Sequence, residues 1–450
     1  MKGYLEIVNI FLSIKIGRTR MSDFLTSILF VILYRHIHSS YLVEVWKYFG
    51  YRDLSGTFEE ILYTNIMSII PIIFYSGEKV ISNFISIMIY VLAYVPTIIT
   101  IQFQSENLID MAGYQFAYLF AMVLFFMSDR YTPQNQYHRN TEELIPLEWW
   151  VSAGILLSIS VVMYFGLDAL RLVSFDEVYE LRSENRKLQD TALIGYFTLW
   201  IARVFLPLFM GIGLVYKKKS MIILGVLISL LVYMSMGAKT TISLPFLAIG
   251  MYICLKHIGF KYIFPCVVAA FATVFILYKV FPDSTVVFSL SALLLMRTLG
   301  ISGLLATAYM DFFTTAPYTY YTHIGIVNRI FGGYPYGNVT LGKAVWARYN
   351  GIDVGTAMNA NANFWVTDGV AAAGIFGVIA ISILLYFILK YLNKISERHD
   401  MDFVCILFLG IISGLLNVSL FTVIISCGLF LIIIFLKYST VKPNDYEENL

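Results

Sequence analysis

The stretch 402–437, DFVCILFLGIISGLLNVSLFTVIISCGLFLIIIFLK, carries charge only at its two ends, Asp402 and Lys437. A single helical crossing of about 30 Å of hydrocarbon takes roughly 20 residues, with a range of about 17–25. This run is too long for one span, and Asn417 predicts a tight turn between two, 402–417 and 419–437. Further apolar runs lie near 22–38, 58–76, 81–102, 108–127, 147–166, 192–216, 220–236, 241–256, 262–281, 285–309 and 363–389. Backbone in lipid has no water to bond, so each run is expected to be helical. Composition agrees. Of 450 residues, 59% are hydrophobic and 13% charged, and mean hydropathy is +0.75. Soluble domains carry about 25% charged residues, and disordered, collagen-like and coiled-coil chains are polar or strictly periodic, so all four classes are excluded. The expectation is an all-α polytopic membrane protein, one integral membrane domain over 1–450. A formal net charge of +2 gives no reason to expect a nucleic-acid partner.

The N-terminal MKGYLEIVNIFLSIKIGRTRMSDF is broken by Lys15, Arg18 and Arg20 and has no small-x-small cleavage site, so it does not read as a signal peptide. Cys254, Cys266, Cys405 and Cys427 all lie in apolar runs without paired spacing and read as small buried hydrophobes. There is no Cys-x-x-Cys or His-Glu-x-x-His, and His36 and His38 are only two apart, so neither a metal site nor a cofactor is expected.

Orientation follows from the excess of Lys and Arg on cytoplasmic loops. Lys2, Lys15, Arg18 and Arg20 place the N-terminus inside. Counting forward puts Lys217–Lys219, Lys256 and Lys261 inside and the chain after 281 outside. Counting back from Lys437 and Lys442 through Lys390, Lys394 and Arg398 puts 310–362 outside as well. The run 285–309 is then expected to begin and end on one side, as a re-entrant or outer-face segment. Its central Arg297 supports this, since a charge at mid-bilayer costs about 2.5–3.5 kcal/mol on the lenient insertion scale. That leaves about 12 transmembrane helices, spaced as crossings of roughly 20 residues, with both termini cytoplasmic. Two outer loops remain, a first at 167–191 and a main one that with the re-entrant segment covers 285–362. Inner loops are short, with no cytoplasmic domain and no Gly-rich phosphate loop.

Ionisable residues at membrane depth default to a functional hypothesis. Arg203 lies inside LIGYFTLWIARVFLPLFMG, and Lys239 sits at the end of a span in MSMGAKTTI. The first outer loop offers Arg182, Glu184 and Arg186, as a solvated helix laced with ion pairs or as a phosphate site with a base. The main loop, APYTYYTHIGIVNRIFGGYPYGNVTLGKAVWARYNG over 316–351, crowds aromatics such as Tyr321 around His323, Arg329 and Arg348. Such rings form an interfacial belt or stack on sugars. His323 is a candidate acid or base. Then MNANANFWVTDGVAAAGIFGVI brings Asn359, Asn361, Asn363 and Asp368 into a membrane run. Polar groups there need partners, which a glycan or a capped helix entrance supplies. Arg suits phosphate oxygens and amides suit sugars, and a lipid-linked diphosphate sugar presents both.

On these residues the chain, over roughly 20–437, resembles the bacterial oligosaccharide repeat-unit polymerases, the O-antigen polymerase (Wzy) family. NANFWVTDGVAAAGIFGVI is similar to that family's Asn- and Gly-rich step into a late helix, and MSMGAKTTI to its small-Gly-basic turn. The His323-Ile-Gly325 element is similar to the His-bearing outer loop of lipid A–core ligases. The resemblance implies a glycosyltransferase of the bacterial inner membrane. It would polymerise undecaprenyl-diphosphate-linked oligosaccharide repeat units at the periplasmic face, with a flippase and a chain-length regulator as pathway partners. It implies essential outer-face arginines: Arg182 or Arg186, then Arg297 and Arg329. Arg297, with Arg203 or Arg329, would neutralise the departing diphosphate, and His323, Glu184 or Asp368 would deprotonate the acceptor. The alternatives are a flippase or transporter of the lipid-linked unit, and a periplasmic-face transferase of single sugars drawing on Glu44 and Asp53.

Overall fold

The computed structural model describes residues 21–54, 56–77, 79–130, 144–166, 170–173, 192–237, 239–360 and 364–441. Among the described residues all regular structure is helical, and ten helices are long and apolar enough to cross a membrane, so the protein is an all-α, multi-pass membrane protein. Nine of them are α1 (Met21–Phe49), α3 (Ile81–Gln104), α4 (Leu108–Phe126), α5 (Leu147–Phe165), α6 (Leu193–Val215), α7 (Lys219–Met236), α8 (Thr241–Ile258), α9 (Phe260–Val280) and α10 (Thr285–Phe312). The tenth, Thr367–Ser396, is described below. The run at 58–76 is the shorter α2 (Phe58–Ile69), whose Thr57 and Glu60 form a reciprocal cap, extended by a 3₁₀ turn through Phe74. The main loop contributes α11 (Gly325–Phe331) and α12 (Leu341–Asn350).

The late run expected at 363–389 is not one helix. A short helix, α13 (364–372), meets a backbone break at Ala373 (φ −161°, ψ 34°) and Gly374 (φ 58°, ψ −135°), and α14 (375–396) follows. The break reverses the chain. Gly369 and Gly377 are eight residues apart, about 12 Å along a continuous helix, yet a Cβ on Gly377 would overlap the Gly369 carbonyl. A Cβ on Gly369 would lie 2.7 Å from the Val378 nitrogen. The two helices therefore pack backbone to backbone through glycines, as a tight hairpin. Gly374 takes the left-handed φ that a side chain disfavours.

The segment 285–309, expected to turn back, is instead part of an uninterrupted helix of 28 residues. The expectation rested on the cost of Arg297 at mid-helix. Arg297 lies in a π-helical stretch over Ala292–Gly300 and is exposed. Tyr51 reaches in from the 50–57 loop beside it. Its hydroxyl would lie 2.7 Å from a Cβ on Gly300. The chain reversal of this region lies instead at α13.

The chain divides into two compact units, residues 1–130 with 264–387, and 131–263 with 388–450. In the first, α3 is buried along its whole length and packs on α10, where Gly303 lets Thr100 and the Pro96 carbonyl approach. Arg35 of α1 is held by four acceptors: Asn65 Oδ1 (2.6 Å), Gln102 Oε1 (2.8 Å), Thr64 Oγ1 (2.6 Å) and the Ile61 carbonyl (3.4 Å). It also lies over the Phe103 ring. A charge kept at membrane depth needs this degree of satisfaction. Arg35→Leu should destabilise the protein by about 2–4 kcal/mol through the lost charge-assisted bonds, read as a lower unfolding temperature in detergent. An unchanged transition would show that the network is dispensable.

In the second unit, the predicted turn at Asn417 is present. It follows α15 (Met401–Leu415), and the Asn417 amide donates to the Ser413 carbonyl at 2.7 Å. The last run is broken: α16 (Leu420–Ile425) and α17 (Leu429–Tyr438) are separated at Gly428, φ 80°. The Ile425 carbonyl freed there accepts from the Trp200 indole (2.9 Å), so the break does not leave it bare.

Candidate functional site

The site is built where the main loop meets the hairpin. The hairpin break frees carbonyls that would have continued α13. The loop takes them up: Thr319 N and Oγ1 donate to the Ala371 carbonyl at 2.8 and 3.0 Å, and Tyr320 N donates to Ala372 at 3.1 Å. To reach them, Tyr320 (φ 46°) and Tyr321 (φ 67°) both adopt left-handed conformations, which cost about 1–2 kcal/mol per non-glycine residue. Strain of this kind persists where surrounding bonds over-determine it and clusters at functional sites.

This docking delivers His323. Its Nδ1 lies 2.7 Å from Thr319 Oγ1 and its Nε2 lies 3.4 Å from Asp368 Oδ1. Asp368 is fully buried, and the His323 side chain is 8% exposed. The proton inventory follows from the bonds. Thr319 spends its hydroxyl proton on the Ala371 carbonyl, so toward His323 it is an acceptor, and Nδ1 carries hydrogen. Nε2 then faces a carboxylate with a lone pair unless one proton sits between them. The two groups are placed to share one proton, and Thr319 orients the imidazole from behind. Tyr321 stands beside it, its ring 6.1 Å from the imidazole. Burial, and then the Asp368 charge, hold the Tyr321 phenol well above its usual pKa, so it is a hydrogen-bond donor at neutral pH.

Depth can be read from α4. Ile375, just past the break, packs where Gly113 has no side chain, in the second turn of α4. Trp365 of α13 stacks on Tyr118 (5.4 Å) and Phe125 (6.2 Å), one to three turns further along the same helix. Residues 357–360 are non-helical, and the Ala360 carbonyl accepts from the Tyr309 hydroxyl at 3.0 Å. Irregular backbone at membrane depth is tolerated where protein buries it or it lines a polar cavity.

Other expected site residues fall variously. Arg297 lies midway along α10 and exposed, beside Tyr51. Burial holds the Tyr51 phenol well above its usual pKa, and the Arg297 charge works against that shift. Arg348 is exposed and bonded to Thr315 Oγ1 at 2.6 Å, over the Phe312 ring, so it fastens α12 to the end of α10. Arg329 is exposed on α11. Asn359 accepts from Thr340 Oγ1 at 3.3 Å in non-helical chain, so the helical i, i+4 spacing with Asn363 does not apply. Arg203 belongs to the second unit, where it donates to the Gly410 carbonyl at 3.3 Å and flanks Gly414 beside Cys427. Lys239 opens the helix that continues as α8, and its side chain lies outside the described residues. Arg182, Glu184, Arg186, Asn361 and Asn363 also lie outside the described residues.

Arg203, Arg297 and Asp368 share one local feature. Each sits in a π-helical stretch: Ile201–Phe205, Ala292–Gly300 and Trp365–Gly369. Such stretches recur at functional positions, because the extra residue per turn turns side chains and carbonyls out of register. Residue-type reasoning missed Thr319 and the Arg35 network. The Thr319/His323 spacing of four was visible, but only the loop's docking on the hairpin gives it meaning. Comparison of the chain with family models, curated proteins and solved structures finds no match in any of the three.

Proposed function

We propose that the protein is a membrane glycosyltransferase that joins undecaprenyl-diphosphate-linked oligosaccharide units at the periplasmic face of a bacterial inner membrane. The observation that carries this reading is the His323–Asp368 pair, held by Thr319 where the main loop meets the α13–α14 hairpin. A polyprenyl carrier keeps its diphosphate at the membrane surface, and a base built into the outer part of the bundle meets it there.

In the proposed step, an acceptor sugar hydroxyl attacks the anomeric carbon of the donor glycan. The new C–O bond forms as the bond from that carbon to the diphosphate oxygen breaks, and the electron pair leaves with the diphosphate. The acceptor's proton passes to the His323–Asp368 pair, which takes the role of a general base. Arg297 balances charge developing on the diphosphate, since a cation fixed in advance is worth most where charge appears. Tyr321 and Asn359 offer a ring face and an amide to the sugars.

The discontinuous α13–α14 pair also suits a carrier of the same lipid-linked unit, because broken helices near the midplane form transporter sites. Product length separates the readings. Deleting the gene should leave surface glycan as single repeat units on gels. Loss of all glycan with substrate trapped in the inner leaflet would favour the carrier instead. Arg297→Ala should remove long-chain glycan while the protein still reaches the membrane. An unchanged ladder of chain lengths would eliminate Arg297 from the mechanism.

A further inference from the structure

The helix α11 leaves an apolar flank uncovered. Ile326 and Ile330, one turn apart, are 44% and 69% exposed, and Phe331 at its C-terminal end is 79% exposed. Arg329 adjoins them on the exposed side, whereas Val327 and Asn328 are half-buried. A soluble loop helix would put polar residues on that flank. Its height relative to the bundle explains why it does not. Ile326 is three residues from His323, a reach of at most about 11 Å. His323 is tied to Asp368, which lies in α13 between the break that meets the second turn of α4 and the deeper Trp365. The chain leaving His323 therefore begins α11 within that reach of the hairpin and its apolar helices. Gly332 (φ 65°) and Gly333 (φ 83°) turn it away directly after Phe331.

We propose that α11 lies in the membrane interface, with Ile326, Ile330 and Phe331 among the upper acyl chains and Arg329 at the level of anionic lipid phosphates. The occupant of the uncovered face is the bilayer itself. Two observations select it over a protein partner: the helix starts two residues after His323, which is tied to the membrane helix hairpin at Asp368, and its single charge is a cation at the edge of an apolar strip. Short helices of that pattern bury their apolar side in the acyl–headgroup boundary. The inference rests on geometry alone and does not depend on the transferase reading.

The test places a fluorophore on one cysteine, by Ile330→Cys or Phe331→Cys, with the four native cysteines replaced by Ala. The full chain is reconstituted in phosphatidylcholine–phosphatidylglycerol vesicles. Quenching by lipids carrying a spin label high on the acyl chain should exceed quenching by aqueous iodide by at least about twofold, as for an interfacial helix. Arg329→Gln in that background should make the depth insensitive to the phosphatidylglycerol content. Dominant iodide quenching with none from the labelled lipid would overturn the proposal, and so would protection that appears only when a second protein is added. If the cysteine-free chain fails to fold, hydrogen exchange of 325–331 in the unmodified protein gives the same answer. Exchange should be slower in bilayer nanodiscs than in detergent of a larger headgroup, and equal rates would overturn the assignment.

Discussion

Asp368→Asn should lower polymer formation by about 10²–10⁴-fold, the usual worth of a positioned general base, while the protein accumulates in the membrane and unfolds normally. The substitution keeps the shape of the side chain. What it removes is the acceptor for the proton between Nε2 and Oδ1, 3.4 Å apart. An asparagine there presents either an amide N–H or a neutral carbonyl, and neither stabilises an imidazolium as a carboxylate does. His323→Ala should cost a similar factor. The double variant should be no worse than either single one, because residues that act as one unit are strongly non-additive. The measurement is the rate of glycan extension in membranes carrying a lipid-linked donor and acceptor. If Asp368→Asn ran at the wild-type rate, the pair would be a structural clasp and the transferase mechanism drawn from it would fall. If the two losses simply multiplied, the residues would be doing separate jobs.

The second large effect belongs to the hairpin. Gly377→Val should destabilise the protein by at least about 3 kcal/mol, the upper part of the overpacking range, and should abolish activity with it. A Cβ at this position meets the Gly369 carbonyl, and on the facing side Gly369 is closed in by the Val378 backbone. Backbone cannot rotate aside as a side-chain tip does. The two helices would have to separate, pulling Asp368 from His323 and the Ala371 and Ala372 carbonyls from Thr319 and Tyr320. Gly250→Ala in α8 is the matched comparison, since nothing lies within 4 Å of its Cβ. It should be neutral or slightly stabilising through helix propensity. Thermal unfolding in detergent separates the two. A Gly377→Val protein with wild-type transition temperature and activity would mean that the reversal at Ala373–Gly374 is not how the chain folds.

Much of this architecture is legible in the residues alone. Every apolar run read from the sequence contains helix, because lipid leaves the backbone no other partner than itself. Asn417 marks a real turn, and Arg297 and Asp368 stand out by being ionisable where ions are costly. The direction of the chain within a run is not legible in the same way. Hydropathy sums the transfer of side chains to lipid, and that sum is identical whether 363–389 crosses once or doubles back at Gly374. For the same reason the run 285–309 could be read as turning back when it is straight.

Composition and hydropathy fix the solvent, the helical class and the scarce polar residues that must find partners in it. Which partners they find depends on long-range packing. The reversal of α13 is possible because Thr319 and Tyr320, some fifty residues earlier in the chain, satisfy the carbonyls it frees. His323 meets Asp368 across a separation of 45 residues for the same reason. A helix break in lipid is prohibitive alone and permitted once another segment supplies the missing donors. That exchange is non-local, so no window of sequence contains it.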